Sequence, residues 1–162
     1  MALTYEPIAT TTSTSNTTTS TFIEFDNIPG TYTDLVISLQ GTGNTSTDVW
    51  MRFNTDTGSN YSDTRLYSTG GGPGSDRTSS QTSGAIGVLG TTQSNIITTI
   101  FDYSNTTTYK TFFSRSSSNW GTLIRATLWR STNAITKVQI GNPYANYVAS
   151  GTVVTLYGIK AA

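Results

Sequence analysis

Apolar side chains recur at every second position along this chain, as Ile23 and Phe25, then Leu35, Ile37 and Leu39, then Val49, Met51 and Phe53. A period of two belongs to extended backbone, whose successive side chains point to opposite faces; the three- and four-residue spacing of a helix is nowhere sustained. The chain is therefore expected to fold into sheets. Thirty-four threonines and twenty serines make up a third of its 162 residues, and β-branched threonine suits the polar face of a strand.

Ten or so runs follow this rule. They cover residues 21–26, 35–39, 49–53, 61–67, 85–89, 95–103, 109–113, 122–130, 135–140 and 152–159, in the last of which Val153, Tyr157 and Ile159 share a face. Turn residues separate them: Pro29-Gly30 closes the first run, residues 54–60 form a turn cluster, and Ser104 to Thr107 link two strands as a hairpin. Residues 68–84 contain Gly70, Gly71, Gly72, Pro73 and Gly74 and almost nothing apolar, so a long Gly/Ser-rich mobile loop is expected there. Residues 1–20 form either a first strand or a polar N-terminal arm. Parallel pairing needs crossovers of a dozen or more residues, for which these short connections leave no room. The expected fold is all-β: one antiparallel β-sandwich domain over residues 1–162, jelly-roll-like, with about ten strands.

Composition excludes several kinds of chemistry. Without histidine or cysteine the chain lacks the commonest general base and any thiolate nucleophile, zinc-thiolate site or disulfide. Nine basic residues cancel nine acidic ones, so neither nucleic acid nor an acidic membrane surface is an expected partner. No window approaches the roughly 20 apolar residues of a membrane span, and residues 1–21 lack the basic and apolar regions of a secretion signal. Synthesis in the cytoplasm without export by that route is expected.

No pair among the carboxylates Glu6, Glu24, Asp26, Asp34, Asp48, Asp56, Asp63, Asp76 and Asp102 is marked by its spacing as an acid and base, and Asp34 and Asp102 fit solvated caps. Residues 54–60 cluster oxygen-bearing side chains around Gly58, which could suit calcium, but lack the EF-hand spacing and its bidentate glutamate; a turn explains them better. Gly70 to Gly74 lack the Lys-Ser/Thr ending of a phosphate loop. No catalytic residue, cofactor or metal is expected. The aromatics are more informative. The alternation that buries Val49, Met51 and Phe53 sends Trp50 to the other face, onto a subunit or a binding surface. Trp120, Tyr144 and Tyr147 join it as candidate partner contacts, as do Leu3, Tyr5 and Ile8, which alternate before the polar stretch and could pair with a partner's edge.

Five phrases carry a resemblance. Ile28-Pro29-Gly30-Thr31-Tyr32-Thr33-Asp34-Leu35-Val36-Ile37, the stretch 52–62 from Arg52-Phe53-Asn54 to Asn60-Tyr61-Ser62, the stretch 103–111 around Asn105 and Tyr109, Leu128-Trp129-Arg130-Ser131 running on to Ile135, and the ending Thr155-Leu156-Tyr157-Gly158-Ile159-Lys160-Ala161-Ala162 resemble a family of small β-sandwich virion proteins of tailed bacteriophages, marine and cyanobacterial phages among them. The resemblance implies a capsid decoration (cement) protein or a piece of a tail fibre, with no enzymatic activity. A chain that starts at methionine shortly before its first strand and stops after its last suits the decoration role. The implied partners are the major capsid protein of the same phage and further copies of this chain, as a trimer on the capsid surface. A fibre-tip domain recognising host glycan is the alternative, and a polysaccharide-cleaving enzyme using two aspartates a third.

Overall fold

The computed structural model describes residues 4–144 and 146–160. Every regular element among them is a strand: β1 (Tyr5–Thr12), β2 (Ile23–Phe25), β3 (Asp34–Gly41), β4 (Thr47–Phe53), β5 (Tyr61–Ser68), β6 (Pro73–Gln81), β7 (Gly84–Leu89), β8 (Ser94–Ile100), β9 (Lys110–Ser118), β10 (Gly121–Trp129), β11 (Val138–Gly141) and β12 (Val153–Ile159). Eight form one sheet in the order β1-β12-β3-β8-β9-β10-β5-β6, and four form a second, β2-β11-β4-β7. All pairings are antiparallel. The chain is thus an antiparallel β-sandwich. Consecutive hairpins β8-β9-β10 and β5-β6 lie within a sheet, whereas β12 between β1 and β3 requires the long returns of a jelly-roll-like connection.

One stretch departs from the sequence expectations, and another takes one of the two forms expected of it. Residues 68–84 are not a long loop: β5 turns back at Gly70 and Gly72, both at positive φ, and β6 pairs with β5 from Ser68↔Pro73 to Tyr61↔Gln81. An edge strand needs no buried face, so the apolar alternation used to find strands is missing from it. Residues 5–12 are a strand at the opposite edge, paired with β12, and Ile8 packs against the core. The tract beyond Thr12 leaves the sheet but stays docked, with Ser13 N–H donating to Thr152 O and Thr17 N–H to Val148 O.

Between the sheets the alternation fills one core. Leu35, Ile37, Leu39, Ile96, Ile100, Val154 and Leu156 from the large sheet meet Val49, Met51, Phe53, Ile86 and Ile140 from the small one, all fully buried. Each such side chain contributes roughly 1.5–3 kcal/mol of transfer free energy. One end holds an aromatic cluster. Phe53 sits 5.2 Å from Phe112 and 5.3 Å from Trp129, both edge-on, while Tyr61 stacks on Trp129 at 6.2 Å. The buried polar atoms there are satisfied: Tyr61 Oη accepts Phe53 N–H at 3.0 Å, and Trp129 Nε1 donates to Asp56 at 2.6 Å. Burial pushes the Tyr61 phenol pKa up.

Strand β7 closes the small sheet so tightly that all six of its residues are buried. Glycine makes that approach possible: a methyl on Gly87 would stand 2.7 Å from Ser116 Cβ, inside van der Waals contact. An ion cluster then ties the sheets together. Arg125 of β10, 4% exposed, donates to Asp63 of β5 at 3.0 Å and to Asp48 of β4 at 2.7 Å.

Candidate functional site

Charge in this molecule is largely spent on itself. Glu6 accepts from Lys160, Glu24 from Lys137 and Gln139, and Asp26 pairs with Lys137. Asp34 accepts Asp102 N–H, Asp48 and Asp63 share Arg125, and Asp76 takes a bidentate contact from Arg65. The Lys160 and Lys137 hydrogen bonds hold the Glu6 and Glu24 carboxyls below the ordinary range. Asp56 accepts Gly58 N–H, Asn60 Nδ2 and Trp129 Nε1 at 2.8, 2.9 and 2.6 Å, which organises residues 54–60 as an internally bonded turn. Burial works against ionisation there, but those three donors together hold Asp56 below its usual value. A carboxylate saturated by fixed donors is poorly placed to shuttle a proton.

Among the outward-facing residues, large apolar and aromatic side chains fall on more than one side. The outer face of the small sheet carries Trp50 and Arg52. Trp50 stands edge-on to Tyr144 with centroids 5.3 Å apart, and the Arg52 guanidinium lies over the Phe22 ring at 5.3 Å. Tyr144 is 48% exposed, and the indole N–H of half-buried Trp50 is enclosed without a hydrogen-bond partner. The outer face of the large sheet carries Leu66, Phe101, Phe113 and Ile124, at 54%, 43%, 43% and 39% exposure. Cross-strand register sets Leu66 opposite Ile124, and Ile124 opposite Arg115. Two shallow grooves cross this face. One, of about 370 Å³, runs past Leu66, Asn95, Arg115 and Ile124; the other, of about 420 Å³, runs past Thr64, Arg77, Phe101 and Phe113.

The residues expected from sequence to touch a partner fall in different places. Trp50 and Tyr144 come together, with half-buried Tyr147 further along the same connection. Tyr5 lies exposed on edge strand β1, but Ile8 turns into the core. Trp120 sits at the tip of the β9-β10 hairpin against Tyr67, 5.8 Å between centroids. Leu3 lies outside the described residues. Sequence reasoning missed the open face of the large sheet. The signal was present in β9, where burial of Phe112, Ser114 and Ser116 forces Phe113 and Arg115 outward together. Val153, Tyr157 and Ile159 likewise share the outer side of β12, while Val154 and Leu156 fill the core.

No family model matches this chain, and no curated protein matches it. Several solved structures are similar in outline. A galectin of Caenorhabditis elegans, LEC-6, aligns over 90% of this chain and 94% of its own at 9% identity and a TM-score of 0.39. A single mutant of congerin II aligns over 83% and 98% at 18% identity and 0.36. A mutant of the alginate lyase Aly36B, solved with an alginate tetrasaccharide, aligns over 94% and 80% at 10% identity and 0.33. Similarity at this level carries no conclusion about what this chain binds.

Proposed function

We propose that this chain is a non-enzymatic structural protein of a tailed-bacteriophage virion, a capsid decoration (cement) protein that bridges neighbouring capsomers. One observation carries this reading: apolar and aromatic side chains lie on both outer faces of the sandwich, exposed Tyr144 against half-buried Trp50 on one and exposed Phe113 and Ile124 on the other. The two outer faces of a sandwich point in opposite directions. A body with partners on two sides is a bridge, and large exposed apolar patches mark partner surfaces. The internally paired carboxylates support an inert role, since they leave little free acid-base chemistry.

In this proposal each bridge buries surface on two neighbours, about 800 Å² per partner for an interface of ordinary size. That area raises the cost of separating capsomers as packaged genome presses outward. The major capsid protein is the partner, and closed association of identical copies on a local three-fold gives a trimer. Imaging at side-chain resolution of particles from a phage that encodes the chain tests it. Many copies over the head surface are expected; absence from particles, or a few copies at the tail tip, refutes the reading. Light scattering on the purified chain tests the trimer, and a monomer at tens of micromolar rules out an obligate one.

A further inference from the structure

The open face of the large sheet has a chemical bias that bridging alone does not require. Outward-facing positions of β5, β6, β8, β9 and β10 hold Arg77 and Arg115, and no carboxylate. Both arginines are exposed, and neither makes a hydrogen bond or ion pair among the described residues. Each lines one of the two grooves. Asp63 also lines the second groove, but its carboxylate is taken by Arg125 and Thr78. The rest of the lining is hydroxyl, amide and apolar: Thr64, Thr111, Ser117, Thr122 and Asn95 beside Phe113 and Ile124.

We propose that this face binds an acidic polysaccharide, a chain of uronate-type sugars laid along β9 and β10. Two unpaired guanidiniums call for carboxylates, which they engage in bidentate fashion. A second copy of the same face would set arginine against arginine, so self-pairing is disfavoured. A peptide joining the sheet would pair along the free edge of β6 and not lie across β9 and β10, since β8, β9, β10 and β5 each have a neighbour on both sides and their backbone groups are used. Recognition therefore rests on side chains, and side-chain hydroxyls and amides with a flat aromatic ring between them match a polyol whose ring presents an apolar face. The grooves lie end to end. From Thr111 to Ser117 they span roughly 20 Å of strand, at about 3.4 Å per residue, room for several sugars.

This inference does not depend on the bridging role, which would set a capsid neighbour on the same face, so the two occupants compete for it. Calorimetric titration of the full chain with hexagalacturonate, maltohexaose and oligothymidylate tests it, alongside circular dichroism and melting to verify each variant's fold. Saturable binding of hexagalacturonate is expected, weakening with salt, with maltohexaose and oligothymidylate much weaker. The double variant Arg77→Gln/Arg115→Gln should lose about tenfold or more in affinity, as removal of two charge-assisted contacts implies. Phe113→Ala should lose several-fold, and Tyr144→Ala on the opposite face should bind as the parent does. No saturable binding by the folded chain, equal binding of the neutral sugar or the oligonucleotide, or a double variant that binds normally each overturns the proposal. Absence of the chain from phage particles would end the bridging reading and leave this result standing.

Discussion

Replacing Asp63 with asparagine isolates the energetic role of the cluster that joins the sheets. Asp63 and Arg125 are both almost fully buried, at 1% and 4% side-chain exposure, and 3.0 Å apart; the third member, Asp48, keeps 40% exposure. Burial pushes the Asp48 carboxyl above its ordinary value, against the pull of Arg125. Removing one partner of a buried pair leaves a charge in a site that cannot solvate it, a cost of about 3–5 kcal/mol. The lower end applies here because Asp48 still touches the guanidinium. For a chain of this size, about 3 kcal/mol corresponds to a fall in Tm of about 6–12 °C. Asp48→Asn, at a half-exposed position, should cost about 0–1 kcal/mol. Adding Arg125→Met to Asp63→Asn should recover most of the loss, since a well-packed apolar side chain replaces a buried ion at little net cost. Thermal and urea unfolding followed by circular dichroism measure all four proteins. Equal losses for Asp63→Asn and Asp48→Asn, or no recovery with Arg125→Met, would refute the reasoning.

Three further outcomes follow from the core and its turns. Asp56 has a folded-state pKa below its unfolded value, so its contribution is present above about pH 4 and is lost as pH falls through the folded pKa; melting curves between pH 5 and 2 should show a smaller acid-side loss for Asp56→Asn than for the parent, and parallel curves would refute the assignment. Gly87→Val should force β7 off β9, because even a single methyl meets Ser116 Cβ at 2.7 Å, and overpacking of this kind costs about 1–3 kcal/mol by urea unfolding. Gly121→Ala, at φ 146 against the backbone of Ser68, should cost more than about 1 kcal/mol and loosen the β9-β10 hairpin, read as faster amide exchange at Trp120 and Thr122.

The buried strands were legible because their alternation is set by burial. Leu35, Ile37 and Leu39 face inward for the same reason that their spacing announces a strand. The edge was illegible for the matching reason. β6 buries almost nothing, so Ser75, Asp76, Arg77 and Thr78 read as loop, although the backbone of β5 holds them in register. Lys110 and Arg125 show the other limit. Both lie on inward positions of their strands, where sequence suggests apolar side chains, and only the fold reveals what they meet: Lys110 donates to the Thr108 and Thr132 carbonyls, Arg125 to two carboxylates from different strands. Of the candidate contacts, Trp50 was found by parity, and its partner Tyr144 comes from a connection that no periodicity could place beside it.

The unequal width of the two sheets explains where polar and apolar surface ends up. At about 4.8 Å per strand, eight strands extend roughly twice as far as four, so one sheet cannot cover the other. Near β1 and β12 the shortfall is met by the docked tract that holds buried Thr17 and Val148. Toward β5 and β6 no such tract arrives among the described residues, and the inner face there turns polar: Arg65 pairs with Asp76 and lies over the Tyr67 ring at 4.8 Å, and Tyr67 leans on Trp120. An overhang built from ion pairs and amphipathic rings tolerates water on its inner side. The overhang therefore extends the outer face without demanding more core, and Leu66 and Arg77 stand on the ground it adds. The breadth of the open face is thus a consequence of an edge that the sandwich does not use for its own stability.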